Sequence, residues 1–142
     1  MTRNLAGLAL ALALALPAAA AENSTYVVEY YYKVRWGSFG EWKRLFEKNH
    51  WPILKREREI GRILHVRAEV PRFHGTEEGR WDYRVTIVWK DAATEASPWP
   101  DQEQVTRELF PDKATFEAEE QRRFELLLAH WDLPIRDDEL GK

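Results

Sequence analysis

Residues 38–54 constrain the fold most, because a strong helical pattern there runs into a proline. Ser38 and Glu41 are three residues apart, the spacing of an N-terminal capping box. Large apolar side chains then recur at helical intervals, which indicates a helix with one buried face. That face consists of Phe39, Trp42, Phe46 and Ile53.

Pro52 interrupts this pattern. Proline has no amide hydrogen to donate to the carbonyl of Lys48, and its ring clashes with that carbonyl in a regular helix. We therefore expect the helix to run to about Lys48 and then to kink, or to break with Asn49 capping a second segment. Gly61 would end that second segment.

Three stretches alternate apolar and polar residues with the period of a β-strand: 25–36, 62–73 and 81–90. A short loop with two glycines joins the last two, which predicts an antiparallel pair. The alternation assigns one face of each strand to the core. The core sets are Val28, Tyr30, Tyr32, Val34 and Trp36; Leu64, Val66, Ala68 and Val70; and Trp81, Tyr83, Val85, Ile87 and Trp89.

The C-terminal third predicts two helices and a last strand. Asp101 and Gln104 have capping-box spacing, and Asp112 follows a proline that ends the first helix. Pro134 confines the last strand to a sheet edge. The predicted elements are a loop at 91–100, helices at 101–110 and 112–130, a strand at 131–136, and a polar tail at 137–142.

The predicted order is strand, helix, strand, strand, helix pair, strand. This is the split β-α-β-β-α-β order of a ferredoxin-like α+β domain, in which helices cover one face of a four-stranded antiparallel sheet. Residues 22–136 would form this single domain. The other sheet face carries polar residues, which leaves two interpretations: a solvated face with cross-strand charge pairs, or the interface of a homodimer.

The first 21 residues have the three-part plan of a secretory signal peptide. One arginine precedes an alternating Leu/Ala run from Leu5 to Leu16, and Pro17 and four alanines follow. The apolar run is too short to span a bilayer, which needs about 20 residues. We therefore expect cleavage after Ala21, an exported protein in the periplasm or outside the cell, and no stable membrane insertion.

Composition excludes several classes of function. The chain has no cysteine, which rules out disulfides, thiol nucleophiles and thiolate metal sites. Its net charge of −3, with both signs interspersed, argues against nucleic acid as a partner. The four histidines lack metal-ligand spacing, and no glycine-rich phosphate loop is present. The sequence therefore predicts no metal site and no cofactor.

The chain resembles the dimeric α+β barrel superfamily in four features. These are the early strand, the aromatic-rich helix, the sequence His50-Trp51-Pro52, and the sequence Ile60-Gly61-Arg62 immediately before a strand. The nearest likeness is to its EthD-like and NIPSNAP-like members, and the antibiotic-biosynthesis monooxygenase group is more distant. The resemblance implies a homodimer joined through its sheets, with a pocket between sheet and helices. It also implies that His50 matches a histidine of the EthD-like members.

Two neighbouring residues at the helix interruption are candidate site residues. His50 has an imidazole suited to proton transfer, and it would be the general base of a cofactor-free oxygenase or lyase. The alternative is a structural histidine that bonds a carbonyl freed by Pro52. Asn49 is a candidate ligand-binding residue, with helix capping as its alternative.

The other candidate ligand-binding residues lie on faces predicted to meet in the core: Trp42 on the first helix, Tyr30, Tyr32 and Tyr83 on the sheet, and Glu120 in the last helix. Core packing is the alternative for the aromatic residues. Glu120 has an alternative too, because it can pair with Arg123.

Three functions remain compatible with the sequence. The first is a homodimer that binds a small apolar or aromatic molecule in a pocket between sheet and helices. The second is the cofactor-free oxygenase or lyase with His50 as base. The third is a non-catalytic interaction protein that uses Trp99 and the segment 97–111 as its contact surface.

The leader segment yields a direct test of export. Protein recovered from the envelope or medium of the producing cells should begin at Glu22, as read by intact mass and N-terminal sequencing. Replacing Ala19 and Ala21 with arginine should block cleavage, since the processing site needs small residues. Recovery of the chain from the cytoplasm with residues 1–21 still attached would contradict export.

Overall fold

A computed structural model describes residues 25–73, 75–138 and 140–141. The predicted signal segment lies outside these residues. In chain order the elements are β1 (Tyr26–Val34), α1 (Phe39–Leu45), a π-helix (Phe46–His50), α2 (Trp51–Glu59), β2 (Ile63–Glu69), β3 (Tyr83–Trp89), α3 (Ala92–Ala96), α4 (Gln102–Leu109), α5 (Lys113–Glu125) and β4 (Leu127–Ile135).

The four strands form one antiparallel sheet in the order β2-β3-β1-β4. The two strands that follow the helices are therefore at the two edges. This order, with helical segments inserted after β1 and β3, is the ferredoxin-like arrangement, and the predicted fold class is confirmed. Among the described residues, no helix is both long enough and apolar enough to cross a membrane.

The core lies between the sheet and the helices. Tyr32 pairs with Tyr83 on one side and with His130 on the other, so one row of side chains crosses three strands. Trp42 is fully buried above that row. Strand alternation and helical periodicity thus bring two apolar surfaces together as predicted. The core residues of the sheet are Val28, Tyr32, Val34, Ile63, Tyr83, Val85, Ile87 and Trp89.

Four residues assigned to the core face lie elsewhere. The register of β2 shifts between Ile63 and His65, so Leu64 falls in the irregularity and is 52% exposed. A β-bulge of this kind cannot be read from alternation, because it adds one residue to the period. Three others, Trp36, Val70 and Trp81, lie beyond the ends of β1, β2 and β3, where strand alternation no longer directs their side chains, and Val70 is 55% exposed.

The predicted break at Pro52, with Asn49 capping a second segment, is wrong, while the alternative of a kink stays a prediction. The π-helix Phe46–His50 passes directly into α2, so the helical segments are continuous. At the junction the Trp51 amide donates to the carbonyl of Phe46, five residues back. One wider turn accommodates the residue without an amide hydrogen, and the helix does not have to stop.

Two predicted capping boxes do not form. Ser38 has a helical backbone conformation and its side chain makes no capping bond, while Glu41 pairs across to Arg122 on α5. Asp101 has a left-handed backbone conformation, with φ of 60°, and its side chain does not cap α4. Asp112 does cap α5 as predicted, because its carboxylate accepts the Thr115 amide.

The last helix is shorter and the last strand longer than predicted. α5 ends at Glu125, and β4 runs over Leu127–Ile135, paired with β1 along its length. The residues from Leu127 to His130 have good helix formers, but bonding to a neighbouring strand outweighs that local preference. As predicted, the strand that contains Pro134 is an edge strand.

The segment 97–111 does not present Trp99 as a contact surface. Trp99 is 7% exposed, and the predicted loop before it contains α3, capped by Asp91. The Arg62 guanidinium donates to the carbonyls of Thr94 and Ser97, at 2.7 and 2.9 Å, which fixes the start of the segment to the rest of the domain. The expectation of an exposed Trp99 is therefore wrong.

Candidate functional site

The π-helix positions the residues singled out at the helix interruption. Its wider turn buries Phe46 and Asn49 and leaves His50 partly buried between them and α2. π-Helical turns are rare and occur frequently at functional sites. The segment is therefore the natural starting point for a candidate site.

Phe46 stands at the centre of an aromatic cluster that joins four of the predicted site residues. Its ring centroid lies 5.4 Å from Trp42, 5.4 Å from Tyr83, 5.8 Å from Tyr32 and 5.0 Å from His50. These distances and the tilted geometries are those of favourable aromatic contacts. The two periodicities, helix and strand, are sufficient to predict that these rings meet.

His50 is held neutral. Burial, together with the smaller electrostatic effects of the neighbouring Arg123 and His130, lowers the pKa of its imidazole to about 4. A neutral imidazole can accept a proton or a hydrogen bond, but so low a pKa makes it a weak base at neutral pH. The role of His50 as a catalytic base stays a prediction.

His130 is a neighbour of the site that the sequence interpretation missed. Its ring stacks on Tyr32 with centroids 4.4 Å apart, and its Nδ1 lies 2.8 Å from the carbonyl oxygen of Tyr31. The predicted helix extended to this residue and hid its strand position. Alternation along Leu127–Ile135 would have placed it on the core face, opposite Tyr32.

Asn49 is buried and does not cap a helix. Its amide nitrogen donates to Glu119 Oε2 on α5 at 3.0 Å, while Lys48 Nζ lies 2.7 Å from Oε1 of the same carboxylate. These two donors lower the pKa of Glu119. Asn49 therefore ties the π-helix to α5, and its ligand-binding role stays a prediction.

Glu120 forms an ion pair with Arg123. The Arg123 guanidinium donates from Nε and one terminal nitrogen to the two carboxylate oxygens, at 2.9 and 2.7 Å. Arg123 is almost fully buried, and its guanidinium carbon lies 6.0 Å from the Phe46 ring centroid. The pairing alternative for Glu120 is thus confirmed, and the ion pair lies at the edge of the aromatic cluster.

Tyr30 is separate from this cluster. It pairs with Val85 and Asp132 one row away from Tyr32. Burial raises its pKa to about 12 and also raises the pKa values of Tyr32 and Tyr83. All three hydroxyls are therefore neutral donors at physiological pH.

A groove opens between the continuous helix and the sheet, beside the aromatic cluster. Its volume is about 220 Å³. Of the predicted site residues only Tyr83 lines it, and His50, Asn49 and Trp42 do not. The lining residues are Phe46, Glu47, Trp51, Leu54, Val66, Ala68, Tyr83 and Val85. Among the described residues, no group of three or more histidine or acidic side chains is arranged to hold a metal ion.

Comparison with known proteins supports no transfer of function. The sequence matches no protein-family model and none of the curated proteins with which it was compared. Several solved structures are similar to the chain. A variant of SnoaB, a cofactor-independent oxygenase from Streptomyces nogalater, is 12% identical with a TM-score of 0.48, covering 83% of this chain and 98% of its own.

Two further similar structures belong to groups that the sequence resembles. An uncharacterized NIPSNAP domain protein from Burkholderia xenovorans is 14% identical, with a TM-score of 0.44, and the match covers 82% of this chain and 98% of that one. A dimeric ferredoxin-like protein of unknown function from Jannaschia sp. is 10% identical, with a TM-score of 0.48, over 80% of this chain and all 100% of its own.

The neutral state of His50 predicts a pH dependence of stability. Its pKa in the folded protein, about 4, is below the ordinary value of 6.5, so the unfolded chain binds more protons between these pH values. His50 therefore contributes stability above about pH 6.5 that is lost as the pH falls toward 4. The loss should be about 2–3 kcal/mol.

Urea unfolding of the wild type and of His50→Gln at pH 7.0, 6.0, 5.0 and 4.5 measures this effect. The variant should show a flatter profile, and His65→Gln, on the exposed side of β2, serves as the matched control with a wild-type profile. An NMR titration should show the His50 ring still neutral at pH 5. Parallel profiles for the wild type and His50→Gln would contradict the burial argument.

Proposed function

We propose that the protein is an exported homodimer in which each protomer binds a small apolar or aromatic molecule in the groove between helix and sheet. The observation that carries this proposal is the composition of that groove. Seven of its eight lining residues are aromatic or aliphatic, and Glu47 is the one charged member. Apolar walls with a few polar groups are the usual composition of small-molecule sites.

The dimensions of the groove limit the ligand class. A volume of about 220 Å³ is below the usual range of about 300–1,000 Å³ for drug-sized ligands, so a molecule of one or two rings fits best. The walls formed by Phe46, Trp51 and Tyr83 favour ring-on-ring contact. The neutral hydroxyl of Tyr83 is available to orient a single polar group, whereas the carboxylate of Glu47 already accepts from Lys43.

The outer face of the sheet supports the homodimer. On edge strand β4, Trp131, Leu133 and Ile135 are 39, 48 and 39% exposed, and the pairing places them beside Tyr31, Glu29 and Val27 of β1. Three large apolar side chains in a row on one open sheet face are typical of an interface.

The charges beside that apolar row are already paired within the protomer. Arg84 contacts Glu29 at 3.2 Å and Glu69 at 2.7 Å, and Tyr31 donates to Glu29. Pairing of this kind lowers the electrostatic cost of covering the face with a second copy.

Filling the groove tests ligand binding. Isothermal titration with indole as the probe should give saturable binding to the wild type. Ala68→Trp places a large ring at the groove and suits a strand position, so it should weaken binding at least about tenfold. The matched control is Ala93→Trp on the exposed surface of α3, which should bind indole as the wild type does. Absent saturation at millimolar indole, or equal binding by both variants, would refute the proposed site.

A charge on the apolar row tests the dimer. Light scattering on a sizing column should give twice the protomer mass for the wild type, and Leu133→Glu should shift it to the protomer mass because a carboxylate would be buried without a partner. Leu140→Glu is the matched control, since Leu140 is 93% exposed and outside the sheet. A protomer mass for the wild type at every concentration tested would rule out the homodimer.

A further inference from the structure

A second cavity lies at the end of the sheet where β1 stops and β3 begins. Its volume is about 400 Å³, larger than the groove described above, and it shares no residue with that groove or with His50. We call it the corner pocket. It is lined by Val34, Arg35, Trp36, Gly37, Phe39, Val70, Pro71, Phe73, Arg80, Trp81 and Asp82.

Trp36 is an exposed ring with a fixed orientation. Its side chain is 69% exposed, yet the indole Nε1 donates to Glu77 Oε2 at 2.9 Å. The guanidinium carbon of Arg80 lies 4.3 Å from the ring centroid, within cation–π distance. The ring is therefore held along one edge and on one face while most of its surface remains in solvent.

Arg80 supplies this support and has little left to offer a ligand. It is 4% exposed, and it donates to Glu77 Oε2 at 2.8 Å, to the Val34 carbonyl at 3.1 Å and to Asp82. These partners occupy all three guanidinium nitrogens, and the two carboxylates among them balance the charges of Arg80 and of Lys33, which also pairs with Glu77. The positive charge that a ligand would meet must come from another residue.

Arg35 is that residue. Its Nε donates to the Glu125 carbonyl at 2.9 Å, which anchors the side chain and leaves the two terminal nitrogens available. Within the described part of the chain, no carboxylate oxygen lies within 4.0 Å of a guanidinium nitrogen of Arg35. An exposed arginine beside aromatic walls is suited to a planar anionic group, since two parallel N–H donors match a carboxylate.

We propose that the corner pocket binds a flat aromatic carboxylate, with its ring against Trp36 and its carboxylate on the terminal nitrogens of Arg35. Aromatic walls select the ring, and the arginine without a carboxylate partner selects the negative charge. A neutral aromatic compound would use only the first of these contacts, so it should bind more weakly. The site is independent of the groove ligand and of any role for His50.

Two probes separate the contributions of ring and charge. Isothermal titration compares 2-naphthoate with neutral 2-naphthalenemethanol, and the wild type should bind 2-naphthoate at least about tenfold more tightly. Trp36→Ala should weaken both ligands, and 2-naphthoate by about tenfold. Arg35→Gln should weaken 2-naphthoate by about tenfold and change 2-naphthalenemethanol by less than about twofold.

Two controls complete the design. Arg58→Gln removes an exposed arginine on α2, away from the corner pocket, and should bind both ligands as the wild type does. Because the groove is itself proposed to accept molecules of one or two rings, every titration is also run in the Ala68→Trp background, which fills the groove. The differences between ligands and variants should remain there, which distinguishes the two cavities. Circular dichroism checks that each variant is folded. Three results would each overturn the proposal: no saturable 2-naphthoate binding, wild-type binding by Trp36→Ala, or equal effects of Arg35→Gln on both ligands.

Discussion

The missing amide hydrogen of Pro52 determines how the first helical region covers the sheet. A regular helix would need that hydrogen for the Lys48 carbonyl, and the π-turn closed by Trp51 and Phe46 removes the need. The helix can then continue to Glu59 and pack over β2 as well as β1 and β3. The same turn directs Asn49 toward α5 and His50 toward Phe46. A single backbone defect thus positions both polar residues that the helical pattern cannot explain.

The elements that the sequence predicted well are those with a sustained period. Alternation from Tyr26 to Val34 and from Tyr83 to Trp89 set the two central strands, and Pro134 placed the last strand at an edge. The errors occur where a local preference competes with pairing to a distant segment. Residues 127–130 resemble a helix locally, yet they bond to β1, and the bulge at Leu64 has no signal in one sequence.

In the candidate site, too, the contacts set by a regular period were predictable, and those set by distant pairing were not. Trp42, Tyr32, Tyr83 and His50 come together around Phe46, because helix and strand periods are sufficient to place their rings on facing surfaces. Polar partners are set instead by which side chains meet in three dimensions. No spacing rule connects Asn49 with Glu119, 70 residues away, or predicts that His130 would stack on Tyr32. The arginine that would pair with Glu120 was predictable only because it lies three residues along the same helix.

The seven tryptophans show why aromatic content alone does not indicate a function. Trp42, Trp89 and Trp99 are buried and stabilise the domain, as core packing requires. Trp36 and Trp131 remain exposed, and each is held by a neighbouring side chain, Arg80 in one case and Tyr31 in the other. Ordering an exposed ring costs conformational entropy and gains little burial. Such rings therefore gain most when a second surface or a ligand covers them, so a functional argument can be built on the exposed tryptophans but not on the buried ones.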